Sequence, residues 1–127
     1  MLRASHRLLR PCGRTAFVTI HPSPALSPRL RRRAHRDGPV AVAAHRTYAD
    51  LLQRAGFTDI EELDHTGEFA VVARAWIEEW DRHHDDIVAL LGGAAVEQRQ
   101  QERRRQLAAI EDGLLRRTLF SATRPTD

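Results

Sequence analysis

The stretch Leu9-Arg10-Pro11-Cys12-Gly13-Arg14, running directly into Thr15-Ala16-Phe17-Val18-Thr19-Ile20, decides the fold. Leu8 and Leu9 end a helix, Pro11 and Gly13 punctuate a tight turn, and the β-branched and aromatic run after them is a strand. Ala16, Val18 and Ile20 share one face and Phe17 takes the other, which is the pattern of a strand with helices over both faces of a parallel sheet. A buried central strand is therefore expected.

Downstream, Pro22, Pro24 and Pro28 make residues 21–28 a loop leaving that strand. Ser27 before Pro28 starts a short helix over residues 29–36, closed by Asp37-Gly38-Pro39. Thr47 caps a second helix whose inner face holds Tyr48, Leu51, Leu52 and Ala55, and Gly56 stops it. Residues 57–63 form a strand in which Glu61-Glu62 invite a bulge or an exposed edge. Phe69, Val72, Trp76, Trp80, Ile87 and Leu90 then recur at helical spacing, predicting one amphipathic helix over residues 68–91 that ends at Gly92-Gly93. A further helix over residues 96–111 is polar from 97 to 106, with only Val96, Leu107, Ala108 and Ile110 looking inward. Residues 117–124 alternate as a last strand before Pro125, with Phe120 and Ala122 on one face.

A length of 127 residues suits one domain and excludes a complete large enzyme. Every positive side chain is Arg, so the high pI of about 10.3 reflects guanidinium groups more than a large charge excess. Residues 1–50 hold ten Arg against two acids, while residues 51–127 hold ten Arg against fifteen. The acid-free first 36 residues fit a mitochondrial presequence by composition, yet a turn and a β run are foreign to an amphipathic targeting helix. No apolar run approaches the ~20 residues of a membrane span, and the single Cys12 permits no internal disulfide. A cytoplasmic chain without membrane contact is expected.

Taken in order, Leu9-Arg10-Pro11-Cys12-Gly13 and Leu51-Leu52-Gln53-Arg54-Ala55-Gly56-Phe57, with a helical insertion and a terminal strand after them, resemble the C-terminal half of class I S-adenosylmethionine-dependent methyltransferases. In that family a Leu-x-Pro-Gly-Gly turn enters the fifth strand, a Leu-Leu-x-x-Ala-Gly-Phe helix end enters the next, and the chain closes with an antiparallel strand. The resemblance spans residues 6–125. It implies an α/β fold, the C-terminal part of a Rossmann-like methyltransferase sheet with a helical cap inserted before the last strand. Residues 1–127 would form a single partial domain: turn and central strand at 6–20, Pro/Arg-rich linker and short helix at 21–46, helix and strand at 47–64, helical cap at 67–112, and terminal strand at 117–125. Two departures stand out. Cys12 replaces a glycine of the turn, at a cost on the order of 1 kcal/mol where φ is positive. The family's N-terminal Gly-rich loop has no counterpart, because no Gly-x-Gly occurs anywhere.

What the resemblance implies is transfer of a methyl group from S-adenosylmethionine to a small-molecule acceptor. A truncated chain would be impaired or inactive alone, with no identifiable cofactor-binding residue and with a partner chain as one source of the missing half. His21, read as just past the strand's C-terminal end, stands where open α/β sheets bind ligands and is the candidate general base, or else a solvent-facing loop histidine. Tyr48, Trp76 and Trp80 are candidate substrate contacts, the two tryptophans equally readable with Phe69 as helix packing. His83-His84-Asp85-Asp86 diverge around a helix and make no metal site. Two other classes remain open. One is a noncatalytic interaction module docking through the polar helix and a strand edge. The other is an Arg-rich nucleic-acid binder, in which Arg29, Arg31, Arg32, Arg33 and Arg36 would bind phosphates and Arg103–Arg105 extend the surface; neither run interleaves the aromatics that stack on bases, which favours a solvated face.

Overall fold

The computed structural model describes residues 1–38 and 46–126, and the chain through them runs α1 (Leu2–Leu8), β1 (Arg14–Pro22), α2 (Pro28–Asp37), α3 (Tyr48–Arg54), β2 (Thr58–Asp64), α4 (Thr66–Arg82), α5 (His84–Leu91), α6 (Gly93–Glu111) and β3 (Leu115–Thr123). Pro39 and the rest of the linker to His45 lie outside the described residues. Two hydroxyls start helices as local chemistry dictates. Ser27 accepts the Leu30 N–H at 3.3 Å and Thr47 accepts the Asp50 N–H at 3.1 Å, each satisfying a donor the first turn leaves unpaired.

β3 is the middle of a three-stranded sheet in the order β1-β3-β2, antiparallel to both neighbours. β1 and β2 consequently point the same way without touching. This corrects the expectation of β1 as the buried centre: among the described residues it stands at an edge and is at most half-buried, whereas Leu115, Thr118, Phe120 and Ala122 of β3 are buried. Its edge position also lets β1 continue through His21 to Pro22, past the expected end at Ile20, since an edge strand tolerates a residue without an N–H. The bulge foreseen in β2 falls between Thr58 and Glu61, where Asp59 takes a φ of 50°.

Each face of the sheet has its own core. Leu52, Phe57, Phe120 and Ala122 pack with Leu2, Leu9, Phe17 and Tyr48 under α1 and α3. Ala34, Ala109, Ile110, Leu114 and Leu115 pack with Ile20, Leu26 and Phe69 under α2, α4 and α6.

The helix expected over residues 68–91 is two helices. His83, with φ of −104° and ψ of 25°, breaks the run, and the seven-residue step from Trp80 to Ile87 kept the apolar spacing in phase across the break. In α6 the inward residues are Val96, Gln100, Ala109 and Ile110, whereas Ala108 is exposed. Gln100 fits inside because its amide donates to the Ile77 carbonyl at 3.2 Å and to Asp81 at 3.0 Å. No helix among the described residues is long and apolar enough to cross a membrane.

The turn into β1 is built as its residues require. Pro11 supplies a fixed φ, Cys12 has φ of 66°, and the Gly13 N–H donates to the Arg10 carbonyl at 2.8 Å, the signature of a type II turn. Cys12 N–H and Gly13 O bond Arg124 at 2.8 Å each, so the turn continues the β1–β3 ladder. The Arg124 guanidinium then donates to the carbonyls of His6, at 3.0 Å, and Leu9, holding the C-terminal end of α1.

Candidate functional site

Register alone brings polar groups together on one face of the sheet. His21 of β1 lies opposite Arg116 of β3, Thr118 sits between Thr19 and Asp64, and Phe120 sits between Phe17 and Glu62. Over this row lie the segment Ser23-Pro24-Ala25 and the start of α3, enclosing a cavity of about 560 Å³ at the C-terminal ends of β1 and β2. Its walls include His21, Arg31, Arg46, Tyr48, Glu62, Asp64, Arg116, Thr118 and Phe120.

His21 is fixed at both ring nitrogens. Nδ1 lies 3.0 Å from the Pro22 carbonyl, which can only accept, so Nε2 is left to accept the Thr118 hydroxyl at 2.8 Å. Burial among Tyr48 and Phe120, whose rings lie 6.1 and 5.7 Å away, pushes the imidazole pKa below its ordinary 6.5, against the smaller upward pull of the Pro22 carbonyl and of Glu62. Burial therefore favours the neutral form of His21. Asp64 is held below the usual carboxylate range chiefly by hydrogen bonds from Thr66, whose N–H reaches it at 2.9 Å as α4 begins.

The sites foreseen from sequence divide. His21 and Tyr48 line the same cavity, and Tyr48 stacks obliquely on Phe120 at 5.3 Å with its hydroxyl 3.4 Å from Thr19 Oγ1. His21 belongs to the strand itself and not to the loop beyond it. Trp76 and Trp80 do not line this cavity. They stand on α4 against α6, with the Arg103 guanidinium 4.0 Å from the Trp80 ring and 5.2 Å from that of Trp76, and Trp76 is 55% exposed. Glu62, Asp64, Arg116 and Thr118 are not singled out by the sequence because only strand pairing assembles them, Arg46 lies in a loop with no motif around it, and Arg31 stands out only as part of an Arg run. The alternation of β3 and the Glu61-Glu62 edge were the available signals.

No protein-family model matches the sequence, and no curated protein matches it. Solved structures do match. Phosphoethanolamine N-methyltransferase 2 of Haemonchus contortus, in complex with phosphomonomethylethanolamine and S-adenosylhomocysteine, is similar over 98% of this chain and 29% of its own, with a TM-score of 0.79 and 18% identity. A protein from Galdieria sulphuraria, assigned as a sarcosine dimethylglycine methyltransferase, is similar over 99% of this chain and 47% of its own (TM-score 0.83, 9% identity). The cyclopropane synthase MmaA2 of Mycobacterium tuberculosis is similar over 96% and 48% (TM-score 0.72, 14% identity). This chain thus spans less than half the length of each. The sheet order, the helices inserted before β3 and these likenesses agree: the chain has the fold of the C-terminal part of S-adenosylmethionine-dependent methyltransferases.

Proposed function

We propose that this chain forms the acceptor side of an S-adenosylmethionine-dependent methyltransferase site, for a small-molecule acceptor. The observation that carries the reading is the polar cavity at the C-terminal ends of β1 and β2, with a neutral histidine on its floor, in a fold shared with methyl-transferring enzymes. His21 would take the proton of an amine or hydroxyl acceptor, directly or through Thr118, and Tyr48 with Phe120 would supply the apolar wall. S-adenosylmethionine supplies the methyl group. Nothing in the described residues fits it in the family's usual way, since no Gly-x-Gly is present to bring backbone amides close to it. The chain alone is accordingly impaired or inactive, because positioning the cofactor against the acceptor supplies most of the catalysis in such a transfer.

Two measurements test this. Calorimetric titration of the 127-residue chain with S-adenosylmethionine should show no low-micromolar binding, and tight binding would overturn the claim that these residues lack the cofactor site. Expression together with the coding region upstream of Met1 should yield methyl transfer to small amine or hydroxyl acceptors. An upstream region with no Gly-rich loop after a hydrophobic strand, and no transfer, would refute the reading.

A further inference from the structure

Three arginines from separate parts of the fold line the cavity just described: Arg31 of α2, Arg46 before α3 and Arg116 of β3. Some exposed arginines elsewhere in the chain pair with carboxylates, as in Arg33–Asp112 at 2.6 Å, Arg104–Asp81 at 3.1 Å and Arg82–Glu79 at 2.5 Å. Among the described residues none of the cavity's three has a carboxylate oxygen within 4.0 Å. Glu62 and Asp64 line the same cavity, but Asp64 is already spent on the N–H and hydroxyl of Thr66. The neutral state of His21 adds no positive charge of its own. What is left is an excess of planar, multiply donating cations in a partly enclosed space, the arrangement that guanidinium groups offer to phosphate and carboxylate.

We infer that the cavity binds its ligand through an anionic group, a phosphate monoester or a carboxylate, held by Arg31, Arg46 and Arg116. This inference rests on the acceptor-site reading for the ligand's fate, but the anion site stands or falls by binding alone.

The test is an NMR titration of the full 127-residue chain with inorganic phosphate, acetate and ethanolammonium chloride, followed through the backbone amides of Ser23 and Thr47. Saturable shifts are expected with phosphate or acetate, whichever is preferred naming the anion class, and none with ethanolammonium. Arg116→Gln and Arg31→Gln should each weaken binding about tenfold, the loss of one charge-assisted hydrogen bond. Arg105→Gln, on α6 and outside this cavity, should not. Arg31, Arg46 and Arg116 are all exposed, so their Gln variants should keep the fold, which the far-UV spectrum checks. Absence of saturation, or equal weakening by Arg105→Gln, would overturn the inference. Methyl transfer by the extended protein to a neutral acceptor, with KM unmoved in the arginine variants, would overturn it while sparing the proposed function. Phosphate binding without any methyl transfer would do the reverse.

Discussion

Replacing Cys12 with glycine should stabilise the chain, and the turn explains by how much. With φ of 66°, the Cys12 Cβ crowds the following carbonyl, a conformation that costs an L-residue about 1–2 kcal/mol and glycine almost nothing. Glycine also loses more backbone freedom on folding, about 0.5–1 kcal/mol. The relief wins by roughly 1 kcal/mol, because Pro11, the Gly13 to Arg10 hydrogen bond and the two bonds to Arg124 leave this residue no other conformation to relax into. For a chain of this length that corresponds to a rise in Tm of about 3–5 °C. The assay is thermal and urea unfolding of Cys12→Gly beside Cys12→Ala. Alanine removes the exposed thiol but keeps Cβ, so it should gain nothing. An equal gain in both variants, or none in Cys12→Gly, would refute strain as the reason.

Gly13→Ala should cost about 1–3 kcal/mol of unfolding free energy, read from urea unfolding with the far-UV spectrum unchanged, since an added Cβ would lie 2.8 Å from the Arg10 carbonyl. His21 lends the fold a pH dependence of definite sign. Its folded pKa is lowered, so the unfolded chain binds the proton first, and stability present above pH 6.5 is lost as the pH falls below it. The urea midpoint of His21→Gln should therefore fall less between pH 7 and 5 than that of the parent chain; parallel curves would argue against a buried neutral imidazole. Arg103→Ala should lower stability by about 1 kcal/mol and shift tryptophan emission, through loss of the guanidinium over Trp80 and Trp76. Arg103→Lys should recover little of either, because an ammonium does not stack as a plane.

Much of this architecture could be read from local chemistry. Ser27, Thr47, Pro11 and Gly56 act within a few residues of themselves, and the elements they start or stop stand where those residues put them. The resemblance carried by the turn and the Ala55-Gly56-Phe57 segment led to the right fold for the same reason: both motifs are helix or turn ends whose geometry is local. Features that depend on distant partners were hidden. Gln100 looks like a surface residue until Ile77 and Asp81 are brought beside it, and Arg103 looks solvated until α4 lays two indoles against it. The break at His83 left no glycine or proline to mark it. The site suffered most, since His21 and Tyr48 were visible singly while Arg116, Thr118 and Glu62 join them only through the antiparallel register of β3.

That register also sets a clock for folding in the cell. Among the described residues β1 and β2 have no bond to each other, and both ladders run through β3, which follows the other described elements in the chain. Until residues 115–123 are made, the two ladders described here cannot form, and Phe17, Ile20 and Phe57 lack the cover that β3 and the turn before it supply. Pairing of the described strands joins residues far apart in sequence, Arg14 with Thr123 and Asp64 with Thr118, so it is slow and cooperative. A nascent chain stalled before Leu115 is accordingly the species most exposed to chaperones and proteases.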